Sequence, residues 1–128
     1  MSYYILKTLD GDFDSIVEKT IDELAKEGFG VLTQIDVKAT LKKKIDIDFR
    51  PYLILGACNP KLAHQAILGE PYIGTMLPCN VVVQKNENGK IDVSAVDPTA
   101  SMQAVENAGL AKIAGEVRDK LKRVIAAI

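Results

Sequence analysis

Residues 49–84, FRPYLILGACNPKLAHQAILGEPYIGTMLPCNVVVQ, decide how this chain folds. They hold both cysteines, Cys58 and Cys79, the sole histidine, His64, and four of the five prolines. Tyr52 to Cys58 is apolar on both faces, which predicts a central strand covered on both sides. Tyr52, Ile54, Gly56 and Cys58 share one face of it; Leu53, Leu55 and Ala57 share the other. Asn59-Pro60 then signals a helix start, with asparagine as N-cap and proline at the first helical position. Leu62, Ala63, Ala66 and Ile67 form the expected buried stripe, and His64 falls roughly 130° from its centre at ~100° per residue, on the solvent side. Gly69 and Pro71 end the helix, and Tyr72 to Leu77 reads as a short strand or an ordered loop. Pro78-Cys79-Asn80 leads into a second strong strand through Gln84.

The hairpin that follows can be registered from its pattern. A two-residue Asn88-Gly89 loop would pair Val83 with Ser94 and split the apolar residues between two faces. A three-residue loop, Glu87-Asn88-Gly89, gathers Val81, Val83, Ile91, Val93 and Ala95 on one face. A one-residue slip reverses every side chain, so the three-residue loop with a left-handed Gly89 is the expectation.

Working outward, Tyr3 to Leu9 reads as an edge or outer strand. Asp12 caps a helix whose Phe13, Ile16, Val17, Thr20, Ile21 and Leu24 share one face, and Gly28 stands at its left-handed C-terminus. Val31, Thr33, Ile35 and Val37 alternate as in a half-buried strand. Val37, Leu41 and Ile45 suggest a short helix with solvated lysines. Asp97-Pro98 repeats the cap-plus-proline signal. Thr99 to Glu106 reads as a short helix or ordered loop, with Met102 as a core residue. From about Asn107 onward, Leu110, Ile113, Ala114, Val117, Leu121, Val124, Ile125 and Ile128 trace one face of a long helix, backed by charged residues that include Arg118. No repeat or linker interrupts the pattern, so residues 1–128 are expected to form a single domain.

Composition excludes several functions. With 48% hydrophobic and 26% charged residues the chain has the make-up of a globular protein. A formal net charge of −1, 5% aromatics and no tryptophan give no footprint for nucleic acid. No apolar run approaches the ~18 residues of a membrane span. Two cysteines without an export signal point to a thiol-reduced, cytoplasmic protein.

The candidate site is the pair of Cys-Asn elements. If the two strands lie antiparallel, Cys58 and Cys79 face each other across one rim of the sheet, with Cys58 just before a helix N-terminus that favours a thiolate. Three readings stay open: two buried small hydrophobes, a reactive or redox thiol pair, or a soft-metal or ligand site. Cys58 and Cys79 are the candidate catalytic residues under the second. A closed zinc site would need carboxylates or a second subunit, so no metal is expected, and no cofactor is specified. GxSxG, Walker-type and HExxH patterns are absent.

GACNPKLAHQAI, LPCNVVV and VDPTASM, together with the long terminal helix, make the chain similar to the bacterial and archaeal family called domain of unknown function 302. The resemblance covers essentially the whole chain. It implies an α+β fold of the TATA-binding-protein-like, helix-grip kind: a mainly antiparallel sheet of about five strands backed by a long C-terminal helix. It also implies homodimers, and leaves the activity open. The positions carried over as a ligand-binding rim are Cys58, Asn59, Pro60, Pro78, Cys79, Asn80, Asp97 and Pro98. Functionally the expectation is a small-ligand-binding or regulatory domain. The alternatives are a thiol-dependent enzyme or redox sensor, and a homodimeric interaction module; no nucleic-acid or membrane partner is expected.

Overall fold

The structure, a computed structural model, describes residues 2–128. Its strands are β1 (Tyr4–Leu9), β2 (Gly30–Asp36), β3 (Tyr52–Cys58), β4 (Cys79–Lys85) and β5 (Ile91–Val96). Its helices are α1 (Phe13–Lys26), α2 (Val37–Ile45), α3 (Pro60–Gly69), α4 (Pro98–Ser101) and α5 (Ala108–Ala127). The strands form one sheet in the order β1-β5-β4-β3-β2, and every neighbouring pair is antiparallel. This is the α+β architecture expected, with β1 on an edge.

One face of the sheet carries the core. Val83 lies opposite Val93 and Val81 opposite Ala95, and all four are fully buried beneath α1 and α5. The loop between β4 and β5 is the three-residue Glu87-Asn88-Gly89: the Asn86 amide donates to the Lys90 carbonyl at 2.8 Å, and Gly89 has φ +76°. A side chain there would strain the left-handed backbone, which is why glycine fits. α5 presents Leu110, Ala114, Val117, Leu121, Val124 and Ile125 inward, as its periodicity predicts. α1 starts at Asp12, which accepts from the Ser15 amide, and ends in a left-handed Gly28. There the Phe29 amide bonds Leu24 O and the Gly28 amide bonds Ala25 O, so the last carbonyls are satisfied as the chain turns back. Thr20, polar yet completely buried, donates its hydroxyl to Ile16 O at 2.7 Å.

Four expectations need correction. β3 is not the central strand; β4 is, and β3 stands second from the edge with only Leu55, Gly56 and Ala57 fully buried. Its Tyr52 and Ile54 lie on the face opposite the core and are half-buried. β2 does not alternate as a half-buried strand. Val31 pairs with Ala57 but Thr33 pairs with Gly56, so Leu32 is a bulge residue. One extra residue moves everything after it to the other face: Val31 packs against the core, while Thr33 and Ile35 join the opposite face and Ile35 stays 49% exposed. In α3 only Leu62 and Ala66 are buried; Ile67 is exposed, like His64. Finally, Tyr72 to Leu77, read as a short strand or an ordered loop, falls mostly in a 3-10 helix over Pro71–Met76 that buries Ile73 against Ala66 and Leu110.

The opposite sheet face presents Tyr4, Leu6 and Thr8 from β1, Asp92, Ser94 and Val96 from β5, and Asn80, Val82 and Gln84 from β4. Gly56 lies on this side, where a Cβ would run into Thr33 Oγ1 and approach Pro78 Cγ to 2.9 Å. Gly56→Ala is therefore expected to destabilise the fold by about 1–3 kcal/mol through overpacking. Gly30→Ala, with open space at its Cβ position, is expected to cost far less. Urea unfolding midpoints of the two variants check this, and equal midpoints would refute the close-approach argument.

Candidate functional site

The Cys-Asn rim is built by two helix starts and one strand start. Asn59 caps α3 by accepting from the Leu62 amide at 3.3 Å, and its amide nitrogen donates to Glu27 O at 3.4 Å, at the end of α1. Asp97 caps α4, accepting from the Thr99 amide at 3.0 Å and the Thr99 hydroxyl at 2.6 Å. Between them Pro78, preceded by a cis peptide bond, leads into β4.

β3 and β4 are antiparallel neighbours, as anticipated, but the two cysteines do not face each other. Cys79 pairs with Ala57, not with Cys58. Cys79 packs into the core with Ala57, while Cys58, one position further along β3, stands half-buried at the strand end and borders the same inner space as Cys79. Both are free thiols.

Two spaces meet at the rim. The inner one is a cavity of about 40 Å³ bounded by Cys58, Asn59, Pro78, Cys79 and Pro98 from the rim, closed by apolar side chains such as Leu62 and Met102. Water needs two to four polar partners to fill such a space, and this lining is nearly all apolar. The outer one is a cleft of about 590 Å³ over the opposite sheet face, floored by Asn80, Val82, Asp92 and Ser94 and walled by Tyr4 and Tyr52. Pro78, Cys79, Pro98 and Met102 border both spaces and form the partition between them. The rim is thus brought together with two exceptions. Pro60 is exposed at the start of α3, and Asp97 is turned inward; neither borders the cavity or the cleft.

Asp97 has a structural task instead. Its carboxylate accepts from Arg118 Nε at 3.0 Å, tying α4 to α5. Burial pushes its pKa up, but hydrogen bonds from Thr99 and Arg118 outweigh this and hold it below the ordinary 3.8. Arg118, expected on the solvated side of α5, folds back for this pair. Cys79 is perturbed the other way: burial, and secondarily the nearby Cys58, push its thiol up to about 11. It is a protonated thiol at neutral pH.

Sequence reading missed three contributors. Met102, taken as a core residue, is only half-buried and stands in the partition. Ser94 was hidden between Val93 and Ala95, although its alternation from them marks it as facing the cleft. Arg118 carried no local signal. Among the described residues no group of three or more His, Cys, Asp or Glu side chains is arranged to hold a metal ion, and no helix is long and apolar enough to cross a membrane.

The family model described as "Domain of unknown function DUF302" matches residues 5–128. This chain belongs to the DUF302 family. A solved DUF302 structure, the crystal structure of an uncharacterized conserved protein from Bacillus stearothermophilus, superimposes with a TM-score of 0.92 at 28% identity. The match covers 99% of this chain and 98% of that one, so the DUF302 fold is shared from end to end. No curated protein matches the chain.

Two predictions follow from the rim's chemistry. A thiol shifted from 9.0 to about 11 carries about a hundredfold less thiolate at pH 8. In a Cys58→Ser background, iodoacetamide should therefore label native Cys79 at least that much more slowly than the unfolded chain; comparable rates would contradict the burial. For Asp97, a lowered folded pKa means stabilisation present above the unfolded value and lost as pH falls through the folded one. Asp97→Ala should cost about 0.5–2 kcal/mol at pH 7 as a lost cap. Thermal melts should show the gap to wild type closing below pH 3.8. A gap that stays constant down to pH 2 would rule the ionic role out.

Proposed function

We propose that this DUF302 chain, its 128 residues acting as one cytoplasmic domain, is a small-ligand-binding module whose site is the cleft on the sheet face opposite α1 and α5. The observation that carries this is the cleft itself. At about 590 Å³ it falls within the roughly 300–1,000 Å³ range of small-molecule sites. Its floor also bears polar groups without partners: neither the Asn80 amide nor the Ser94 hydroxyl makes a side-chain hydrogen bond among the described residues. Apolar walls with a few unengaged hydrogen-bonding groups suit recognition of a small organic molecule.

The thiol-enzyme or redox-sensor reading draws less support. Cys79 is buried, its thiol is pushed up to about 11, and it stands opposite Ala57 rather than Cys58. Homodimerisation is a second reading, favoured by exposed apolar side chains on the cleft face: Leu6, 49% exposed, beside Tyr4 on the β1 edge, and Ile35, also 49% exposed, on the β2 edge. A second copy seated there would cover them.

A metabolite screen by thermal shift tests the main reading. At a hundredfold excess over Kd a true ligand stabilises by about 2.7 kcal/mol, and the shift should vanish in Asn80→Ala. A saturating screen with no shift on the wild type would remove the reading. Light scattering tests the second: a dimer converted to monomer by Leu6→Lys supports it, and a wild-type monomer at high concentration eliminates it.

A further inference from the structure

Met102 occupies a singular place among the pockets. It borders the inner cavity, the cleft, and a third pocket of about 200 Å³ between α4 and α5 that is lined by Val105 and Leu110. No other residue borders all three. An unbranched thioether side chain with three rotatable bonds changes rotamer at low cost, unlike the prolines beside it. Of the four residues in the partition, Met102 is therefore the one whose shift most readily joins the cleft to the apolar space behind it.

The charges on the two sides differ little in sign but strongly in polarity. The cleft lining has one carboxyl side chain, that of Asp92, and no lysine, arginine or histidine. Asp92 already accepts from the Thr8 hydroxyl at 2.7 Å and the Asn86 amide at 3.2 Å. The guanidinium of Arg50, beside the cleft-lining Gln84 and Tyr52, is committed to Gln84 and to the rings of Phe49 and Tyr52. An anionic ligand would meet the Asp92 carboxylate, with no cationic side chain in the cleft lining to receive it. Behind Met102 the inner cavity is apolar apart from Asn59, which spends both ends of its amide on helix termini, and the third pocket adds Gln103 and Thr99, whose hydroxyl is given to Asp97.

From this we infer that the cleft continues inward past Met102 and takes an uncharged amphipathic molecule, with its hydroxyl- or amide-bearing head on Asn80 and Ser94 and its apolar tail in the space behind Met102. This rests on the ligand-binding reading above and specifies the ligand's class and its orientation.

The test uses n-alkyl β-glucosides from hexyl to decyl, titrated calorimetrically below their micelle concentrations, with n-octyl sulfate as the anionic counterpart. Affinity should rise roughly fourfold per methylene buried and level off once the inner space is full. Octyl sulfate should bind more weakly than octyl glucoside. Met102→Trp should abolish the chain-length dependence while head-group binding remains, and Asn80→Ala should weaken every member of the series alike. Met102→Phe serves as a smaller plug should the tryptophan variant fail to keep its melting temperature. Binding that needs Asn80 but is the same from hexyl to decyl, and indifferent to both Met102 variants, overturns the tail path and leaves the cleft reading standing. Sulfate binding as tight as glucoside binding overturns the charge assignment. No binding at any length overturns the inference, while the metabolite screen decides the cleft reading on its own.

Discussion

β4 is hydrogen-bonded on both sides, with Leu55 of β3 and Ala95 of β5 both opposite Val81, and this one register sets the content of both faces. Val81 and Val83 point into the core with Leu53, Leu55, Val93 and Ala95 around them. Asn80, Val82 and Gln84 point the other way by necessity, because side chains on a strand alternate. Were β4 to slip by one residue, valines would line the cleft floor and an asparagine would sit beneath α5. The burial of some half-dozen aliphatic side chains, each contributing about 1.5–3 kcal/mol, holds the polar floor in position. Core and site are two sides of the same pairing.

The parts of this fold that were legible in sequence are those where one local rule acts alone. The β4–β5 loop length could be deduced because only one register collects Val81, Val83, Ile91, Val93 and Ala95. α1 and α5 have both periodicity and capping residues, and their neighbours in the sheet do not alter either. β2 failed because a bulge at Leu32 is a tertiary accommodation with no residue to announce it; alternation before and after it is intact, but the two halves belong to different faces. β3 misled for a related reason. A strand apolar on both sides can be covered on both, or can border a cleft that uses the second side, as Tyr52 and Ile54 do here.

The site was half legible. Asn59 and Asp97 were readable as caps because a cap is local, and Pro78 and Asn80 because they flank a strand start. The relation between Cys58 and Cys79 was not: antiparallel neighbours bring the residues close, but the register sets Cys79 opposite Ala57 and leaves Cys58 one position beyond it. Closeness in a sheet and orientation in a sheet are separate facts, and only the pairing supplies the second. Met102 and Arg118 depend on helices α4 and α5 meeting, which no spacing within either encodes.

The single amide of Asn59 accepts at the N-terminus of α3 and donates at the C-terminus of α1, two helix ends 32 positions apart in the chain. Opening either end by local unfolding strips the other of a partner, so α1's last turn and α3's first turn belong to one cooperative unit. In native-state hydrogen exchange their amides would be released together, at a common free energy, although nothing in the chain joins them directly. Because Cys58 immediately precedes that amide and lines the inner cavity with it, the same opening event would also set how often solvent reaches the cavity.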